Sequence, residues 1–134
     1  MSETKTHVID GQNFTNFAEF TQEFNRAFAD IDADWHGNLD AFDDYLDWPT
    51  FETGTLETGK GYVLIWRHSA ASRCCLGHSA AVSWLQERVQ NCHPDNVARM
   101  MRRLREAERQ QGPTLFDDLV SIIREHQQIE LRLG

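Results

Sequence analysis

Residues 61–66 read Gly-Tyr-Val-Leu-Ile-Trp, a nearly continuous apolar run. Such a run is the mark of a strand buried on both faces, as in a parallel sheet. Upstream, residues 50–60 are a Thr/Gly-rich connection, and before them Leu39, Phe42 and Leu46 fall on one face of a short helix. Asn38 is a good N-cap for that helix. Pro49 is expected to end it, because proline disfavours helix in the residue before it. Further back, Phe17, Phe20, Phe24 and Phe28 are spaced 3, 4 and 4, a helical core stripe. Asn16 followed by Glu19 gives it a capping-box-like start. His7, Val8 and Ile9, closed by Asp10-Gly11, read as a first strand and turn.

Downstream of the apolar run, residues 79–91 read as a helix carrying Ala80, Val82, Trp84, Leu85 and Val89. A second helix starts near Pro94 and runs to about Gln111, where Gly112-Pro113 breaks it. Leu115 to His126 is another amphipathic helix. Ile129, Leu131 and Leu133 alternate with Glu130 and Arg132, a half-exposed strand. Three strands separated by helices predict an α/β fold with a small parallel sheet joined by right-handed crossovers.

The 134 residues make one domain of ordinary size, long enough to fold without a disulfide or metal. A composition 40% hydrophobic and 25% charged excludes collagen-like, low-complexity and wholly disordered chains. No apolar stretch is long enough to span a membrane, and MSETKTHVIDG lacks the features of a secretory signal, so a cytoplasmic location is expected. Cys74, Cys75 and Cys92 are an odd set, read as reduced thiols rather than a disulfide framework. The net charge of −8 argues against nucleic acid or an anionic membrane as the main partner. The acidity is local: residues 1–66 hold 13 acids and 3 bases, residues 67–134 hold 8 acids and 10 bases.

The local acidity centres on residues 30–48, DIDADWHGNLDAFDDYLDW, which have seven carboxylates and no Lys or Arg. Asp40 and Asp44, and likewise Asp43 and Asp47, are spaced i,i+4, where like charges each cost a few tenths of a kcal/mol. The helix N-terminus offsets this for Asp40 and in part for Asp43 and Asp44. Local rules are broken without a folding gain, and that is where function is expected. Trp35, Tyr45 and Trp48 lie among the acids, as anchors of an interface would. A solvated acidic helix with partly buried tryptophans is the plain structural alternative.

Taken together, Val8-Ile9-Asp10-Gly11, the apolar helix from Phe17, the segment Asn38-Leu39-Asp40-Ala41-Phe42, the strand Val63-Leu64-Ile65-Trp66-Arg67 and the C-terminal Ile122-Ile123-Arg124-Glu125 resemble the barstar family of intracellular ribonuclease inhibitors. The resemblance implies a two-layer barstar-like fold over residues 1–134, its three-stranded parallel sheet in order 1-2-3, with a helical insertion at about 70–112. It implies a non-enzymatic inhibitor, without cofactor or metal, that occludes a ribonuclease active site with an acidic helix and its preceding loop. The partner-binding residues it points to are Trp35, Gly37, Asn38, Asp40, Asp44, Trp48 and Glu125, with Asp43 and Asp47 on the same helix. Asp44 matches the acid that enters the nuclease active site. The partner would be a basic ribonuclease or ribonuclease toxin, which would make the chain an immunity protein.

Other readings stand beside this one. Fold does not fix function, so the chain could be a non-inhibitory binding module for another basic protein. Asp32, Asp34, Gly37, Asp40 and Asp43 approach the spacing of a calcium loop, but His36 stands where Asp or Asn is usual and Asp43 where Glu is usual. Cys74, Cys75, His78, Cys92 and His93 could supply zinc ligands, but their spacing fits no ribbon or finger. Asp40 and Asp44 resemble a glycosidase carboxylate pair but lack a cleft. Arg99, Arg102, Arg103, Arg105 and Arg109 read as a solvated basic face, or as a surface pairing with the acidic helix of a second copy in a homodimer.

Overall fold

The computed structural model describes residues 6–29, 33–52 and 61–134, with side chains described for all of these except 40 and 47–52. Strand β1 (Thr6–Asp10) is followed by a 3-10 turn at Gly11–Asn13 and helices α1 (Phe17–Ala27) and α2 (Leu39–Glu52). Strand β2 (Tyr62–Arg67) leads into α3 (Ser69–Cys75), α4 (His78–Asn91), α5 (Val97–Glu108) and α6 (Leu115–Glu125), and the chain closes with β3 (Ile129–Leu133). All strand pairs are parallel and the order is β1-β2-β3.

Register explains which face of the sheet is covered. His7 pairs with Leu64 and Ile9 with Trp66, while Tyr62 pairs with Ile129 and Leu64 with Leu131. Partners in a parallel pair share a face, so these residues form one apolar surface. Tyr62, Leu64 and Trp66 are buried there, whereas Val63 and Ile65 on the opposite face are only half-buried. The expectation of a strand buried on both faces is therefore corrected. With order 1-2-3, two successive right-handed crossovers place their helices on the same side of the sheet. The other face carries Glu130 and Arg132 as well as Val63 and Ile65.

The phenylalanine stripe of α1 fills the covered face. Phe20, Phe24 and Phe28 are fully buried, and Phe20 stacks on Trp66 with centroids 5.2 Å apart. Asn16 caps the helix by accepting from the Glu19 amide at 2.8 Å. The Glu19 carboxylate does not complete a box at Asn16 itself. It turns one residue further back, accepting from the Thr15 hydroxyl (2.6 Å) and amide (2.8 Å), which hold it below its ordinary pKa.

Three other boundaries differ from the sequence pattern. Helix α2 continues through Pro49 to Glu52. A proline removes one helical donor. Just before this break, the Leu46 carbonyl accepts from the Tyr62 hydroxyl at 2.6 Å, an external partner that ties the helix to β2. Helix α3 is not marked by the pattern; the Trp66 indole donates to the buried Ser72 hydroxyl at 2.8 Å and anchors it. Helix α5 starts after a 3-10 turn at Pro94–Asn96 and stops at Glu108, short of Gln111, with Gln110 in the left-handed region at φ 57°. The remaining elements lie within a residue or two of their expected places. Among the described residues no helix is long and apolar enough to cross a membrane.

One buried carboxylate joins α1 to the end of β1. Glu23 is 4% exposed and accepts from the Asp10 amide (2.8 Å), the Asn13 amide (3.2 Å) and the Arg26 guanidinium (2.7 and 2.6 Å). Arg26 also donates to the Val8 carbonyl. Burial by itself pushes the Glu23 carboxyl up, but Arg26 and the two amides outweigh it and hold the group below its ordinary value of 4.5. A lowered folded-state pKa contributes stability that is present above the unfolded value and lost as pH falls through the folded one. Glu23→Gln should therefore cost about 1–3 kcal/mol at neutral pH, the worth of hydrogen bonds to a charged group. In urea unfolding the gap to the parent should close as the pH falls below the carboxylate range.

Candidate functional site: the acidic helix and its loop

The loop entering α2 is built around one indole. Trp35 is 1% exposed and sits among Phe17, Phe20, Phe24 and Phe42, with centroid distances from 4.7 to 5.8 Å. Asn25 clamps its backbone from both sides: the side-chain oxygen accepts from the Trp35 amide at 2.8 Å, and the side-chain amide donates to the Trp35 carbonyl at 2.9 Å. The indole N–H donates to the Asn38 carbonyl at 2.7 Å. That same carbonyl accepts the Phe42 amide, the first turn of α2. The expected role of Trp35 as a partner-facing aromatic is corrected here. Its ring lies in the core, and its effect on the site is to hold the start of the helix.

Gly37 is also buried, with φ +103°, a region that side chains rarely adopt. A Cβ there would stand 3.1 Å from the Phe17 ring. Its carbonyl accepts from the Trp84 indole of α4 at 3.3 Å. Asn38 is exposed and caps α2, its side-chain oxygen accepting from the Ala41 amide at 3.3 Å.

Phe42 and Leu46 are buried and Leu39 half-buried, so the apolar face of α2 meets the core as the spacing predicts. Asp43 and Asp44 are exposed on the other side. Asp43 accepts from His126 Nε2 at 2.5 Å, across 83 residues of sequence. The His126 side chain is 9% exposed and that of Asp43 54%. This contact brings the C-terminal end of α6, with exposed Glu125, beside the acidic helix. The side chains of Asp40, Asp47 and Trp48 lie outside the described residues.

The structure thus places Asn38, Asp43 and Asp44 on one exposed stretch of α2 and its cap, with Glu125 next in sequence to the His126 that meets Asp43. His126, Asn25 and Trp84 support them and are not singled out by the sequence pattern for this place. A lone histidine after a helix and a tryptophan inside another carry no local mark of a distant contact. Chemically, the exposed Asp43 and Asp44 carboxylates on a braced helix can accept hydrogen bonds from Arg, Lys or protonated His.

The other candidate residues are engaged locally. His78 bonds the Gly112 carbonyl, His93 accepts from the Asp95 amide, and Cys75, whose pKa burial pushes up, lies near the Ser72 carbonyl. Of the calcium-loop residues, Asp32 lies outside the described residues. Among the described residues no three His, Cys, Asp or Glu side chains gather as a metal-binding group. On α5, Arg99, Arg102 and Arg105 are exposed, as is Arg109 at its C-cap, while Arg103 pairs with Asp118 of α6 at 2.5 Å and is not simply solvated.

Compared with known proteins, residues 4–131 match a family model described as barstar (barnase inhibitor). Neither the curated proteins nor the solved structures give a match.

The placement of Trp35 has a measurable consequence. Trp35→Ala should lower stability by about 3–5 kcal/mol, as large-to-small changes at full burial do. Trp35→Phe should cost less, chiefly the hydrogen bond to Asn38. Denaturant titration followed by circular dichroism would check both. Weakened partner binding with unchanged stability would place the ring at the surface instead.

Proposed function

We propose that this chain, which belongs to the barstar family, binds a ribonuclease and occludes its active site with α2 and the loop before it. The observation that carries this reading is the exposed Asp43–Asp44 edge of α2, held in register by the Trp35 and Asn38 anchors. A ribonuclease active site is a cationic cleft that binds phosphates. Carboxylates on a rigid helix can take those positions and accept charge-assisted hydrogen bonds from its cations. Because the helix is already formed and braced, little ordering is left to oppose binding.

In this reading the contacting residues are Asn38, Asp40, Asp43, Asp44, Asp47, Trp48 and Glu125, and Trp35 and Gly37 present them. Asp44 is the central acid. Asp43 is shared with His126, so it contributes less as a free acceptor. The chain acts as a single domain in the cytoplasm, without catalysis of its own, and residues 70–112 are a helical insertion in the family framework. The partner is a basic ribonuclease, cellular or delivered as a toxin.

Asp44→Ala should weaken inhibition of RNA cleavage by more than about tenfold, roughly 1.4 kcal/mol, because cations of the enzyme lose their acceptor. Its thermal stability should hold or rise, since like-charge strain along α2 is relieved. Unchanged inhibition by this variant would remove Asp44 from the site. Added salt should slow association more than it speeds dissociation, as stopped-flow mixing at two ionic strengths would read out. Neutralising Arg99, Arg102 and Arg105 to Gln together should leave the inhibition constant where it is. Loss of inhibition by a folded triple variant would make α5 part of the interface.

A further inference from the structure

A cleft of about 660 Å³ opens beside the loop that precedes α2. One wall is His36–Asn38, another is the start of α1 with Phe17, and the third is α4 with Ser83, Trp84 and Arg88. Three observations set it apart from a surface crevice. It is continuous with the inhibitory loop, and the Trp84 indole bonded to the Gly37 carbonyl fixes α4 relative to α2. Its floor is apolar, from the Phe17 ring and Trp84, which is 9% exposed. And Nε of Arg88, whose guanidinium lies 5.9 Å from the Trp84 ring centroid, is buried with no hydrogen-bond partner among the described residues. A buried donor without an acceptor is costly, so a turn of the Arg88 side chain that brings it to an oxygen at the cleft wall is favoured.

We propose that this cleft is a second docking subsite for the same nuclease, and that it determines which nuclease the inhibitor accepts; this rests on the nuclease-inhibitor reading above. The occupant is a surface loop of the enzyme whose tip carries an apolar or aromatic side chain. That side chain fills the space between Phe17 and Trp84, and an oxygen of the loop accepts from Arg88. Apolar anchors in desolvated pockets concentrate binding energy, and a donor that demands an acceptor adds selectivity. The α2 carboxylates would engage what nucleases share, the phosphate-binding cations. The cleft would engage a loop in which they differ. Its α4 wall comes from the 70–112 segment, which gives that segment a role separate from the arginines of α5.

The test uses the full chain against barnase, other small microbial ribonucleases and toxin nuclease domains in an RNA-cleavage assay. Wild type is compared with Asp44→Ala, with Ser83→Trp, which fills the cleft from an exposed helix position, and with Arg88→Ala, which removes the donor. Thermal unfolding checks that each is folded, and Arg88→Ala carries the test if Ser83→Trp is not. The expected result is about a tenfold or greater loss of inhibition with both cleft variants, unequal between nucleases. Inhibition unchanged in the cleft variants but lost in Asp44→Ala overturns the subsite and leaves the inhibitor reading intact. No inhibition by wild type across the panel overturns both. Wild-type self-association that Ser83→Trp abolishes, seen in sedimentation, assigns the cleft to a second copy and overturns the proposal.

Discussion

The hydrogen bond from the Trp35 indole to the Asn38 carbonyl is the constraint on which the acidic edge depends. Helix α2 carries like charges that weaken it locally, and its first turn needs an outside anchor. The indole supplies one because it cannot move: four aromatic rings surround it and Asn25 clamps its backbone. Burial energy in the α1 stripe is thereby converted into position for residues that gain nothing from burial themselves. A surface aromatic in the same sequence position would leave the helix start to fray.

The sheet contributes the other half of this geometry. Its order and parallel sense put every crossover on one side, so α1 and α2 share the apolar face with α6. Glu23 fastens α1 to the end of β1, and Tyr62 of the central strand reaches the Leu46 carbonyl just past the middle of α2. Helix α2 is thus held at two points, by Trp35 at its start and by Tyr62 just past its middle. The carboxylates between them can repel one another without unwinding it. His126 adds a cation-capable partner for Asp43 from the opposite end of the chain.

Much of this was legible from residue order. The stripe at Phe17, Phe20, Phe24 and Phe28, the cap at Asn38 and the apolar run before Arg67 each declare their element, because an element's periodicity is set by its own backbone geometry. The acidic character of α2 was equally plain, since uncompensated like charge is a local property. Trp35 was misread for a related reason. An aromatic within a polar acidic stretch looks the same whether its ring turns inward or outward, and only the reversal between α1 and α2 decides which. Pro49 was misread because a proline removes a single helical donor, and a helix already tied to β2 through the Leu46 carbonyl and Tyr62 continues past it.

The sequence by itself determined the kind of each element except α3 and the short 3-10 turns, the apolar side of α1 and α2, the parallel α/β plan and the place where negative charge collects. Only the tertiary structure decided that Trp35 lies inside, that Trp84 of α4 reaches the carbonyl of Gly37, and that His126 meets Asp43 across 83 residues. The division has one physical cause. Periodicity and capping act over a few residues and are written in neighbouring side chains, whereas the partner of a buried face is chosen by the packing of the whole chain.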